Sequence, residues 1–259
     1  MAHPRSVLCF GDSNTWGYDP ATGSRHRYAD RWPSVLQSGL GADYVVIPEG
    51  LNGRTISSDD PIDDWRNGRT ALPMILETHK PLDLVITMLG TNDCKHRFAL
   101  LPEEMAEGIR GLIEVIRVAG CGPEPVQEDA QGAASADHAP AAADPAAPTA
   151  PASGPPAAAP SPPGDPGQLA RLTPPPGVLV VAPPHILAET AFGAQFAGAR
   201  ETSMHLAEEY ARVCAEEGVH FLDGAAAAVC SPADGIHLDR ANQRALGDAV
   251  TAQIRRILE

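Results

Sequence analysis

Four short polar segments of this 259-residue chain hold the residue types that acyl transfer needs. The first, Gly11-Asp12-Ser13-Asn14-Thr15-Trp16-Gly17, directly follows the apolar run Val7–Phe10. A serine at a strand-to-helix turn gains backbone N–H donors and the positive end of a helix dipole, which favour an attacking alkoxide and the oxyanion it creates. Simple helix capping by Asp12 or Ser13 is the competing use of such a turn. The second, Gly50-Leu51-Asn52-Gly53-Arg54-Thr55, has glycines that let backbone approach a ligand and offer its N–H, or that merely turn the chain. In the third, Gly90-Thr91-Asn92-Asp93, the Asn92 amide can donate to an oxyanion or close an Asx turn. The fourth, Asp234-Gly235-Ile236-His237, sets an acid three residues before an imidazole. Asp234 can accept from Nδ1–H and leave Nε2 free as a base, with a solvent-facing Asp-Gly turn as the alternative.

A scaffold must bring these segments together, and the apolar runs between them define one. Val7–Phe10, Tyr44–Ile47, Leu84–Leu89, Val178–Ala182 and, more weakly, His220–Leu222 are short continuous runs bounded by turn residues. Continuous rather than alternating apolar character predicts strands covered on both faces, hence a parallel sheet. Pro102-Glu103-Glu104 opens a helix whose apolar positions are Ile109, Leu112, Ile113 and Ile116. A last helix from about Arg240 carries Leu246, Val250, Ile254, Ile257 and Leu258 on one stripe. The alternation predicts an α/β three-layer sandwich with a five-stranded parallel sheet and right-handed crossovers. Ligands of such sheets bind beyond the carboxyl ends of the strands, where the polar segments fall.

Residues 121–176 differ from the rest: they hold 15 of the 26 prolines, many alanines and no aromatic residue, which predicts a flexible, polyproline-leaning insertion. Without it, 203 residues remain, so the chain reads as one domain over 1–259 with an interruption. Because the insertion leads from a helix into the fourth strand, it is expected at the amino-terminal edge of the sheet, away from the polar segments. A net charge of -14 argues against binding to nucleic acid or to anionic lipid. No run of eighteen apolar residues occurs, so no membrane span is expected. The apolar stretch near the start is too short for a signal peptide. Cys9, Cys94, Cys121, Cys214 and Cys230 are odd in number and widely spaced, which suits reduced thiols in a cytoplasmic protein better than disulfides or zinc ligands. Asp234 and His237 lack the further ligands of a strong metal site. A metal-dependent phosphoesterase using Asp12, Asn92, Asp93, Asp234 and His237, and a ligand-binding module without catalysis, are the readings from other classes.

The four segments, in this order, resemble the blocks of the SGNH (GDSL-type) hydrolase superfamily. The strings Leu8-Cys9-Phe10-Gly11-Asp12-Ser13, Met88-Leu89-Gly90-Thr91-Asn92-Asp93 and Asp234-Gly235-Ile236-His237 are particularly similar to its bacterial arylesterase/acyltransferase-like branch. The resemblance implies the flavodoxin-like SGNH hydrolase fold and a serine esterase needing no cofactor and no metal. Ser13 would be the nucleophile, His237 the general base and Asp234 its orienter. The Ser13 and Gly53 backbone N–H groups and the Asn92 amide would form the oxyanion hole. Asp12, Trp16, Asp93, Pro184 and Ile236 are expected to contact substrate, with Leu89, Phe192 and Phe196 as further walls and His185 near the pocket. The implied reaction is hydrolysis of short-chain aryl or alkyl esters through an acyl-enzyme, with transesterification where the pocket is dry. Deacetylation of sugars, thioester cleavage and lysophospholipid cleavage are alternatives on the same residues. The partner is a small-molecule ester, and homo-oligomers are expected from the resemblance.

Overall fold

In the computed structural model, which describes residues 3–123 and 174–258, the apolar runs become five strands of one parallel sheet. They are β1 (Arg5–Gly11), β2 (Tyr44–Gly50), β3 (Leu84–Met88), β4 (Gly177–Ala182) and β5 (His220–Asp223). Their order is β2-β1-β3-β4-β5, so the topological switch point lies between β1 and β3. Both predicted strand ends move by a few residues. β1 and β2 run on to Gly11 and Gly50, paired residue for residue, and β2 passes through Pro48. Proline is tolerated there because β2 is an edge strand with a ladder on one side only.

The period of two along the strands separates two cores. Leu8, Phe10, Val85, Val178 and Val180 face a cluster built from α3 (Gly68–His79), α4 (Pro102–Val118) and α5 (Ala199–Glu217). Val7, Cys9, Leu84, Ile86, Leu179 and Val181 face the other side, against α2 (Trp32–Leu40) and α6 (Arg240–Leu258). The apolar positions expected on the two predicted helices are buried as the pattern requires, with Ile257 and Leu258 partly so. The helices over 32–40, 68–79 and 199–217 carry weaker sequence signals. α2 has Pro33 in its first turn, where the missing donor costs nothing, and α3 has Pro73 inside it.

A four-residue helix, α1 (Ser13–Trp16), lies against the end of β2 so closely that a Cβ on Gly50 would overlap the backbone of Thr15 and Trp16. Backbone cannot rotate away as a side chain can. Gly50→Ala is therefore expected to destabilise the fold by about 2–3 kcal/mol and to lower Tm, read by thermal denaturation.

The insertion expected over 121–176 lies mostly outside the described residues. Its flanks are described. The Leu82 N–H donates to the Cys121 carbonyl and the Gly177 N–H to the Asp83 carbonyl, at 2.8 and 2.9 Å, and Gly122 packs on the Pro174 carbonyl. Both flanks thus meet at the amino-terminal ends of β3 and β4. All five cysteines are free and buried. Among the described residues, no helix is long and apolar enough to cross a membrane.

Candidate active site

Asp12 caps α1: its side chain accepts from the Asn14 N–H at 2.9 Å, which leaves Ser13 as the first helical residue just past β1. Capping thus falls to Asp12 and leaves the Ser13 hydroxyl for another partner. Far along the chain, Asp234 closes its own turn with one oxygen. Oδ1 accepts from the N–H groups of Ile236 and His237, both at 2.9 Å. Oδ2 is then left for the imidazole, and His237 Nδ1 sits 2.6 Å from it. On the opposite side of the ring, Nε2 lies 2.8 Å from Ser13 Oγ. The three side chains form one buried line of hydroxyl, imidazole and carboxylate.

Burial pushes the Asp234 carboxyl up, but the bond from the His237 ring and the two backbone N–H bonds outweigh it and hold it below the ordinary aspartate range. An ionised Asp234 keeps the proton on Nδ1 and the basic lone pair on Nε2, facing the hydroxyl. The Tyr18 ring stacks on the imidazole with centroids 4.2 Å apart, and Phe192 meets it edge-on at 5.9 Å.

The other two segments converge on the same point. Gly53 has φ of 80°, a left-handed conformation that favours glycine. Arg54, buried behind it, donates to the Gly11 carbonyl at 2.8 Å and lies over the Phe10 ring at 4.3 Å. Burial lowers the Arg54 guanidinium to about 10. The Asn92 amide donates to the Arg54 carbonyl at 3.1 Å, and its 3.5 Å contact with Asp12 Oδ2 is at the limit of a hydrogen bond. The segments after β1, β2 and β3 are thus tied together through Arg54 and Asn92.

A cavity of about 270 Å³ opens over this line. Ser13, Gly53, Asn92, Phe192, Phe196, Ile236 and His237 line it, as do Tyr18, Asn52, Asp63, Lys95 and Gln195. Asp12, Trp16, Asp93 and Pro184, expected to contact substrate, are not among its lining residues. Asp12 is spent on the α1 cap, and the Trp16 ring lies under the Arg25 guanidinium at 4.6 Å. Asp93 is buried, with both oxygens accepting from the Ile56 N–H at 3.0 and 3.1 Å. Pro184 packs beside Gly224. Leu89 belongs to the core, and His185 is not in the lining either. Of the five lining residues not expected from the sequence, Asn52 lies inside the second polar segment, Tyr18 and Lys95 sit just past the first and third, and Gln195 lies between the two phenylalanines. Asp63 carries no such signal.

Asp93 gives the site a pH signature. Burial, with the Asp12 charge adding to it, raises its carboxyl to about 7 despite the Ile56 N–H bond. A folded-state pKa raised above the unfolded one means that the native protein keeps a proton the unfolded chain has lost. The contribution is whole below about pH 4, falls as pH rises towards 7 and stays low above that. Asp93→Asn, which keeps an acceptor for Ile56, is expected to raise stability relative to the parent at pH 8 but not at pH 4, by at most about 4 kcal/mol. Denaturant unfolding at the two pH values checks this.

Among the described residues, no group of three or more His, Cys, Asp or Glu side chains is arranged to hold a metal ion. A hydroxyl–imidazole–carboxylate line with converging amide donors is the equipment of nucleophilic acyl transfer.

Comparison with known proteins agrees with that geometry. The profile of the GDSL-like Lipase/Acylhydrolase family matches residues 9–245. No curated protein sequence matches significantly. Among solved structures, the inhibitor-bound aryl esterase of M. smegmatis is 33% identical with a TM-score of 0.77, covering 98% of this chain and 100% of its own. A carbohydrate acetylesterase family member from Sinorhizobium meliloti is 36% identical with a TM-score of 0.74, covering 98% and 99%. A carbohydrate acetylesterase from the same organism is 33% identical at a TM-score of 0.77, covering 98% and 100%. The chain belongs to the GDSL-like lipase/acylhydrolase family, the SGNH hydrolases, and is a carboxylic ester hydrolase.

Proposed function

We propose that this protein hydrolyses short-chain carboxylic esters with Ser13 as nucleophile, His237 as general base and then acid, and Asp234 as its orienter. The observation that carries this reading is the unbroken line from Ser13 Oγ through the imidazole to Asp234 Oδ2, with spacings of 2.8 and 2.6 Å. A serine hydroxyl is almost wholly protonated at neutral pH, so attack requires the adjacent imidazole to take the proton as the C–O bond forms. The Ser13 and Gly53 backbone N–H groups and the Asn92 amide are the donors assigned to the tetrahedral oxyanion, which needs donors fixed in advance. His237 then protonates the leaving alcohol, and water repeats the sequence on the acyl-enzyme. Tyr18, Phe192, Phe196 and Ile236 give the cavity lining an apolar share, which supports an alcohol competing with water in transesterification.

Asn92→Ala is expected to lower kcat by about 10²–10³-fold with little change in KM, since the donor acts mainly in the transition state. Steady-state kinetics on p-nitrophenyl acetate checks this.

A second reading, deacetylation of a sugar, has its own support. The cavity lining also includes Asn52, Asp63, Lys95 and Gln195, a mixture of donors and acceptors suited to hydroxyl groups. Through Asp63 the cavity adjoins a larger one of about 760 Å³, lined among others by Trp65, Asp59, Asp64 and Asn67. A panel of p-nitrophenyl esters of increasing chain length, with and without added alcohol, set beside acetylated sugars, tests both. The ester reading expects kcat/KM to fall steeply beyond short acyl chains. Turnover of long-chain esters only, or of none, would contradict it.

A further inference from the structure

We propose that Asn14 is a positioning residue that sets the distance between the nucleophile and its base, an inference that rests on the roles given above to Ser13 and His237. Asn14 follows Ser13 in the chain and is 1% exposed. Its side-chain amide bonds to the two neighbours of His237. Nδ2 donates to the Ile236 carbonyl at 3.4 Å, and Oδ1 accepts from the Leu238 N–H at 3.0 Å. One planar group thus grips the chain on both sides of the imidazole, more than two hundred positions away in sequence.

The grip is anchored at its own end. The Asn14 N–H is held by Asp12, and the Asn14 carbonyl accepts from Gln243 Nε2 at 3.0 Å. Gln243, fully buried, also accepts from the Trp32 N–H at 2.9 Å. The gripped strip is held elsewhere too. The His237 carbonyl accepts from the Ser231 N–H at 2.8 Å, and the Leu238 carbonyl lies 3.0 Å from His26 Nε2, which must therefore carry the proton. Ser13 cannot shift without Asn14, and Asn14 cannot shift without residues 236–238. The 2.8 Å spacing of hydroxyl and imidazole is then a property of braced backbone, not of one weak side-chain bond. Packing alone gives no reason for an amide here, because a buried amide costs free energy unless both its ends are bonded. Both ends are bonded, and to one loop.

The test compares two buried amides of the same network. Asn14→Leu keeps the volume and removes both bonds; it is expected to lower kcat on p-nitrophenyl acetate about 10²-fold, with KM changed less than about twofold, because misplacement of about 1 Å costs that much. Labelling of Ser13 by a serine-directed phosphonate slows in parallel. The low-field proton resonance of the His237–Asp234 bond persists, because that bond closes within its own turn. Gln243→Leu removes one bond to the Asn14 carbonyl but leaves both bonds from the Asn14 side chain to the neighbours of His237, so it lowers Tm while leaving kcat within about threefold of the parent. Asn14→Ser gives the same kinetic reading if the leucine variant fails to fold. The inference is overturned if Asn14→Ser and Asn14→Leu keep parental kcat, or if Gln243→Leu loses kcat as Asn14→Leu does. Ser13→Ala separates the two claims: if it stays active, the reading of the site itself fails, whatever Asn14 does.

Discussion

Ser13→Ala is expected to lower the turnover of p-nitrophenyl acetate by roughly 10⁵–10⁶-fold, the scale on which a triad nucleophile is lost in a serine hydrolase. The size follows from what remains. Without Oγ there is no atom to form the acyl-enzyme, and the residual rate comes from water attacking an ester held by the oxyanion donors alone. The fold is expected to survive. Ser13 Oγ makes its hydrogen bond with His237 Nε2, whereas α1 is capped by Asp12 and braced by Asn14, neither of which changes. Tm within about 3 °C of the parent, alongside the kinetic loss, is the expected pair of results.

Asp234→Asn is expected to give the second large effect, a fall in kcat of about 10⁴-fold. The carboxylate does two jobs with two oxygens, and a carboxamide cannot do both. If its oxygen stays on the N–H groups of Ile236 and His237, its NH₂ faces His237 Nδ1 and drives the ring to the tautomer with the proton on Nε2. That tautomer cannot take the Ser13 proton. If the amide flips, its NH₂ faces two backbone donors, and the turn that sets the imidazole is lost. Either orientation disables the base. The loss should appear in kcat more than in KM, because substrate binding uses the cavity walls.

The scaffold was legible from the apolar runs because strands covered on both faces must be continuously apolar, and β1, β3 and β4 are. The edge strand β2 and the short β5 signal less, as half-exposed strands do, yet turn residues bounded both. The helices over 32–40, 68–79 and 199–217 left little periodic trace, whereas α4 and α6 carried clear apolar stripes. At the site, Ser13, Gly53, Asn92, Asp234 and His237 were recognisable because each follows or precedes an element whose end one fold brings to one rim. The expected substrate contacts fared differently. Asp12, Trp16 and Asp93 belong to the same segments and Pro184 follows β4, but side-chain direction decides what faces a cavity, and sequence proximity does not supply it. Trp16 turns to Arg25, while Tyr18, two residues on, stacks on the imidazole. Asp63 comes from a stretch without regular structure, so no periodicity could announce it.

In the proposed mechanism one hydroxyl, activated by one imidazole, attacks the ester. Covalent labelling with a p-nitrophenyl alkylphosphonate, located by peptide mass spectrometry, tests it most directly. One adduct per chain is expected, on Ser13, formed in step with loss of esterase activity and strongly slowed in His237→Ala. Full labelling of Ser13 with activity intact, or an adduct on another residue that accounts for the inactivation, would contradict it.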